Sequence, residues 1–280
     1  MSPRTPEPEP LRPDAARREP FRKWAQLGRR VMHRVAARRT DCTVFVDAGG
    51  VVAWSADAAT APNRHDDFEA WARLHRESSA LLLVSAHLLH TLRLDEVANA
   101  GNVGRLRLAA AQRMAVYHGA AAALWPVAVG HGTAFACALH GISLAPLVDI
   151  AGRNGIHLRA VVPLWSEVVG RAVALAPELA TSSAARLLFA EQSLVTCMTF
   201  AAGDLLDVQH RFLEGATRQS LEALVVQLDS ESALAVATVV IAGWGIEGGA
   251  AASSHRVLGA LDGGSEDAAW LFAAAPRERT

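Results

Sequence analysis

From Thr43 the chain reads TVFVDAGGVVAWSAD: an apolar run, a turn of Asp, Ala and Gly, and a second apolar run. β-Branched residues in short runs broken by Gly point to a strand hairpin, because a branched Cβ suits the pleated backbone and Gly supplies the turn. Strands are expected over Thr43–Asp47 and Val51–Ser55. The device recurs from Ala185 in ARLLFAEQSLVTCMTFAAGDLLDVQHRFL, which predicts strands over 186–191, 194–200 and 205–212 with a Gly-Asp turn before the third. A helix over 216–228 follows, then SALAVATVVIAGWGIEGG, a strand over 234–242 running into a Gly-rich turn.

Between the two copies the hydrophobic period switches between helix and strand. Phe68, Trp71 and Leu74 fall on one face of a helix over 66–75. SALLLVSA (79–86) reads as a buried strand, and in HTLRLDEV Leu92 and Leu94 alternate with Arg93. A helix over 104–118, strands at WPVAV and TAFACAL, and a helix over 144–154 closed by Gly155 come next. IHLRAVVPLW predicts a strand ending at Pro163, and 165–175 a helix, with Pro177 and Ser182-Ser183 marking a hinge. Past the Gly-rich turn a helix over 248–261 and a last strand over 268–275 are expected. Alternating strands and helices make the class mixed α/β. The expected division is an arm over 1–40, a first subdomain over 41–180 with an inserted strand-helix module, and a second subdomain over 181–280.

Composition narrows the compartment. Of 280 residues, 51% are apolar and 20% charged, enough for a substantial core. Cys42, Cys137 and Cys197 are scattered with no CxxC pair, which argues against a disulfide framework or a zinc site and suits a reducing compartment. Met114 to Val148 contains no Asp, Glu, Lys or Arg. That length could span a bilayer, which takes about 20 residues. It is interrupted by Pro126, Pro146 and the turn GHG, so two core strands and a cytoplasmic chain are expected instead.

Charge is uneven. Residues 1–40 carry eleven Arg or Lys against Glu7, Glu9, Asp14 and Glu19, a net +7, and the whole chain is −1, so the remainder is −8. Residues 1–20 are Pro-rich and charged, a composition that favours disorder. Phe21, Trp24 and Val31 then fall near helical spacing among Arg29, Arg30 and Arg34, a basic amphipathic helix over Phe21–Arg39. Two readings stand: a helix docked on the protein's own core, or one that binds a partner or a membrane surface through these six residues. Nucleic acid is not expected, since the body is acidic and no recognised module is present.

The order of these elements resembles the actin-like (ribonuclease H-like) nucleotide fold, with two subdomains of mixed sheet flanked by helices. In that fold two strand-turn-strand loops hold phosphates, and a strand leading into Gly-rich backbone holds adenosine. The middle of the chain narrows the likeness. ALLLVSAHLLHTLRL, LRLAAAQRMAVYHG, GTAFACALHG, LAPLVDIAGRNGI and HLRAVVPLW follow in order, with Ala151-Gly152-Arg153-Asn154-Gly155-Ile156 and Val161-Val162-Pro163 closing the series. This looks like the cytoplasmic actin-like domain of the type II secretion protein GspL and the type IV pilus protein PilM, over residues 43–250. The resemblance implies a cytoplasmic protein peripheral to the inner membrane. Its implied partners are a secretion or pilus assembly ATPase, inner-membrane platform proteins and, as a homodimer, its own second copy. GspL carries a membrane helix and periplasmic domain after this part, whereas this sequence stops at Thr280, which suits either a truncated piece or a PilM-like form.

The resemblance also locates the chemistry. Phosphoryl transfer is mostly positioning and charge stabilisation, so each phosphate loop needs a carboxylate for Mg²⁺ and water. The first loop keeps Asp47, with Gly49 and Gly50 able to bring backbone N–H groups to phosphate. A polar residue opening a hairpin turn explains the same residues, and Val51-Val52 stand where Ser, Thr or Lys would follow. The second loop has Ala190-Glu191-Gln192 in place of Asp-x-Gly; Glu191 could substitute, but no Gly follows it. In the adenosine turn Gly243 and Gly245 flank Trp244, which either stacks on a base or fills the pocket; filling is the expectation. The site is therefore expected to be a vestigial nucleotide site, with no resident cofactor, and the chain a non-catalytic scaffold. The alternative is an active ATP·Mg-binding ATPase or kinase using Asp47 and the Gly243 turn. His87 and His90 are three apart, which in a strand points them to opposite faces and argues against a shared metal.

Overall fold

The two hairpins form, and each grows into a five-stranded sheet of the same plan. The computed structural model describes residues 42–55, 61–94, 103–118, 124–128, 133–248 and 255–272; the expected basic arm, with Phe21, Trp24, Arg29, Arg30, Val31 and Arg34, lies outside them. The first half runs β1 (Cys42–Asp47), β2 (Gly50–Ser55), β3 (Asn63–His65), α1 (Phe68–Leu74), β4 (Ser79–Val84), a 3₁₀ turn (Ala86–Leu88), β5 (Leu89–Leu94), α2 (Val103–His118), β6 (Leu124–Ala128), β7 (Ala134–Leu139), α3 (Leu144–Arg153), β8 (His157–Pro163) and α4 (Leu164–Leu175). The second runs α5 (Glu178–Thr181), β9 (Ala184–Glu191), β10 (Leu194–Ala201), β11 (Asp204–Phe212), α6 (Arg218–Glu231), β12 (Thr238–Trp244), β13 (Arg256–Leu258), a 3₁₀ turn (Ser265–Asp267) and α7 (Ala269–Phe272).

The strand orders are β3-β2-β1-β4-β8 and β11-β10-β9-β12-β13. In both, three antiparallel strands are followed by two added in parallel. A third sheet, β5-β7-β6, is inserted between β4 and β8 and carries α2.

Period-two alternation divides the second sheet's side chains between two cores. Leu187 and Phe189 of β9, Met198 and Phe200 of β10, and Val240 and Ala242 of β12 face a core shared with the first sheet, α4 and α5. Leu188, Val195, Cys197 and Ile241 face α6, which presents Leu221, Leu224, Val225 and Leu228 at helical spacing. A strand buried on both faces reads as a continuous apolar run, which is why β9 is buried throughout. β7 divides in the same way, with Phe135 and Cys137 in the shared core and Ala134, Ala136 and Ala138 under α2.

Two C-terminal expectations are corrected. Within the expected helix 248–261, residues 249–254 lie outside the described set, and Arg256–Leu258 form a strand that pairs in parallel with β12. The pairing satisfies backbone groups on the open edge of β12. Of the expected strand 268–275, residues 273–275 lie outside the described set, and Ala269–Phe272 form a helical turn that buries Leu271. A short apolar run suits either state; the 3₁₀ turn just before it is capped by the Asp267 carboxylate, which accepts from Gly264 N–H at 2.9 Å.

A partly buried polar thread ties the module to the second sheet. His210 of β11 hydrogen-bonds through Nδ1 to Thr196 Oγ1 at 3.1 Å and through Nε2 to Thr91 Oγ1 of β5 at 2.9 Å. Burial, with His87 nearby, holds the His210 pKa down at about 4 against an ordinary 6.5. The unfolded chain therefore takes up the proton first. His210 contributes stability fully above pH 6.5, and that contribution is lost as pH falls towards 4. Replacing His210 by Ala should cost about 1–3 kcal/mol at pH 7, because two hydroxyls lose their partner. The deficit should shrink by about 2 kcal/mol at pH 5. Urea unfolding of both proteins at the two pH values measures it, and a deficit independent of pH would refute the role of the neutral ring.

Candidate functional site: the crevice between the two sheets

In parallel strand pairs, ligands sit beyond the C-terminal strand ends. Four such ends meet here: Asp47 closes β1, Ser85 follows β4, Glu191 closes β9 and Trp244 closes β12. The two hairpins match in register, Asp47 pairing with Gly50 and Glu191 with Leu194. Asp47 and Glu191 are thus the same position of the repeated device. Glu191, which sequence reasoning set aside for want of a following Gly, is the buried centre of the crevice.

Asp47 is half-buried, and its Oδ1 accepts from Gly49 N–H at 2.6 Å, so the carboxylate holds its own turn. Gly50 has φ +136°, and a Cβ there would lie 2.7 Å from the His65 carbonyl, so contact with β3 already requires Gly. Arg64 donates to the Gly49 carbonyl at 3.4 Å and reaches Glu266 of the second half at 3.8 Å. Both partners are exposed, and such a pair contributes little.

Glu191 reaches across the crevice into the first half. Ser85 Oγ donates to its Oε2 at 2.5 Å, and Ala86 N–H donates to its Oε1 at 3.1 Å. Ser85 Oγ in turn accepts from His87 N–H at 3.2 Å, and the His87 ring Nε2 lies 3.0 Å from the Glu191 carbonyl. Burial raises the Glu191 pKa to about 7; the two hydrogen bonds oppose the shift and the Asp47 charge adds to it. Asp47 is thus near enough for its charge to act on Glu191.

Trp244 lies between the halves, 3% exposed. Its ring meets Phe45 of β1 edge-to-face at 5.4 Å and Phe189 of β9 at 5.2 Å. Gly243 has φ +127°, and a Cβ there would fall 2.0 Å from the Ala190 carbonyl. A Cβ on Gly245 would meet the Gln192 side chain at 2.7 Å, while Gln192 N–H donates to the Trp244 carbonyl at 3.0 Å. Close approach of β12 to β9 therefore accounts for both glycines. The Trp244 ring between these glycines packs on Phe45 of β1, two residues before Asp47.

His87 and His90 diverge: His87 faces Glu191, and the His90 ring stacks on His118 at 3.7 Å and approaches His140 at 4.5 Å. Among the described residues no group of His, Cys, Asp and Glu is placed to hold a metal ion. Likewise no helix among them is long and apolar enough to cross a membrane.

With this geometry in hand, comparison places the chain among known folds. No protein-family model matches it, and no curated protein sequence does. It superposes on the cytoplasmic domain of EpsL, an inner membrane component of the type II secretion system of Vibrio cholerae, with a TM-score of 0.51 and 12% identity over 82% of this chain and 92% of that one. The fold is the actin-like ATPase fold. Two further structures lie just below in similarity. One is the PilM–PilN type IV pilus biogenesis complex, with a TM-score of 0.48 and 11% identity over 74% of this chain and 82% of that one. The other is a Bacteroides thetaiotaomicron protein with an actin-like ATPase fold, with a TM-score of 0.48 and 6% identity over 72% of this chain and 80% of that one.

Two substitutions probe the crevice. Trp244→Ala removes the wedge and should cost about 3–5 kcal/mol, read from denaturant midpoints. Glu191 carries the opposite pH sign to His210. Its folded pKa of about 7 exceeds the ordinary 4.5, so its contribution is present below pH 4.5 and lost as pH rises through 7. Glu191→Gln keeps the shape and removes the charge. The variant should melt above the parent at pH 8, the advantage being on the order of 3 kcal/mol, and lose that advantage at pH 5. A variant less stable than the parent at pH 8 would refute the account.

Proposed function

We propose that this chain is a non-catalytic scaffold of a type II secretion or type IV pilus assembly platform. It works at the cytoplasmic face of the inner membrane and docks the assembly ATPase and the tail of a membrane protein. The observation that carries the reading is the self-filled crevice. Trp244 occupies the space between the sheets, and Glu191 is spent on Ser85 and Ala86. Mg²⁺ dehydrates reluctantly and keeps several waters, so a carboxylate that holds it needs room beside it for them. Glu191 is buried and its pKa is raised to about 7, which suits a latch between halves better than a metal ligand. The fold shared with the EpsL cytoplasmic domain lends the system its direction.

The competing reading is an actin-like protein that binds ATP. One observation favours it: Asp47 stands at the loop end, half-exposed, with glycine backbone beside it. Calorimetry with Mg·ATP separates the two. The scaffold reading expects no heat of binding at micromolar nucleotide; a micromolar dissociation constant lost in Asp47→Ala would overturn it. Pull-down with the assembly ATPase and platform proteins from the same genome should recover at least one of them, and recovery of none would sink the scaffold reading.

A further inference from the structure

Three imidazoles meet where the last turn of α2 rests on the inserted sheet. His90 belongs to β5, His118 is the last residue of α2, and His140 follows β7. Side chains of β5 alternate between faces, and Leu92 and Leu94 lie under α2 with Leu106, Ala110 and Met114. His90 shares their face and is half-buried. The His118 ring stacks on it, 3.7 Å between centroids and 10° between planes. The His140 ring approaches it at 4.5 Å, tilted by 57°. Both flanking residues are exposed. The His140 N–H donates to the Leu88 carbonyl at 2.8 Å, which fixes the backbone carrying this ring beside β5.

No carboxylate offsets a proton on the central ring. Besides His118, α2 contributes Arg105, Arg107, Arg113 and Tyr117, and it contains no Asp or Glu. β6 has no titratable side chain, and β7 has Cys137 alone, which faces the shared core. β11 meets the other face of β5, His210 against Thr91, and His87 of the 3₁₀ turn is directed to Glu191. Burial, then His118, then His140 hold the His90 pKa below its ordinary 6.5. The C-terminus of a helix carries partial negative charge, so a first proton is favoured on His118. A second on His90 is then opposed, because like charges a few ångströms apart repel and a half-buried one gives up part of its hydration. His90 takes its proton more readily once the end of α2 lifts and water enters. The contact thus contributes fully above pH 6.5, and its contribution is lost as pH falls below that value.

We propose that His90, His118 and His140 form an acid-sensitive clasp, closed at neutral pH, that releases the C-terminal turn of α2 from the sheet when the rings take up protons. The clasp is independent of the scaffold reading. Imidazole NMR and hydrogen exchange read by mass spectrometry test it on the full chain. His90 should titrate last of the three. Amide exchange over residues 112–118, corrected for its intrinsic pH dependence, should rise about tenfold between pH 7.5 and pH 5.5, the gain from one displaced proton over one pH unit. Exchange in α6 should not change. His90→Gln should hold exchange low at both pH values. His118→Gln with His140→Gln should move the His90 titration upward, only part-way since burial remains, and reduce the rise. If His90→Gln loosens the turn at pH 7.5 as well, this double variant decides, because it alters exposed positions alone. A His90 that titrates with or before its neighbours, exchange that does not rise, a rise shared by α6, a rise that survives in His90→Gln, or a His90 titration unmoved in the double variant would each overturn the clasp.

Discussion

The packing of Trp244 between Phe45 and Phe189 is the contact on which the relation of the two sheets depends. A Trp buries on the order of 200 Å². At about 25 cal/mol per Å² that is a gross gain of roughly 5 kcal/mol, an upper estimate because the unfolded chain already hides part of the ring. The exposed Arg64–Glu266 pair, which also spans the crevice, is worth at most about 1 kcal/mol. Apolar burial therefore sets the closure, and the surface charges only trim it. The tight approach of β12 to β9 that places Trp244 is available only because Gly243 has no Cβ.

One sheet plan occurs twice, and the two copies use one position in opposite ways. Asp47 caps its own turn at the edge of solvent, while Glu191 is drawn inward to the hydroxyl and backbone N–H at the end of β4. A buried carboxyl without a full counter-charge is held towards its neutral form. The same chemical group thus acts as a turn-former in one half and as a latch between halves in the other. Environment rather than residue type makes the difference.

The inserted module is attached through the face of its sheet that α2 does not cover. Phe135 and Cys137 enter the shared core, and the His210 thread joins β5 to β11. That leaves α2 on the outside, held by Leu106, Ala110 and Met114 against Leu94 and the alanines of β7.

Much of this architecture was legible along the chain. Strand runs and turns at Asp47–Gly50 and Ala202–Gly203, and helical stripes such as Phe68, Trp71 and Leu74, are local signals set by backbone preference and burial period. They sufficed for the repeated hairpin, the class and the likeness to an actin-like fold. The two C-terminal elements were misjudged because a short apolar run suits strand or helix equally, and β13 exists only because β12 offers it an edge. Glu191 was discounted for a reason that holds within its own loop, the missing Gly. Its role lies in Ser85 and Ala86, more than a hundred residues away, and no local pattern encodes that meeting. The sequence by itself determined which segments pair and which residues want burial, since those follow from neighbours one to four positions apart. Only the tertiary structure decided that two carboxyl positions share one crevice and that Trp244 fills it, because those contacts arise when separate sheets close on one another.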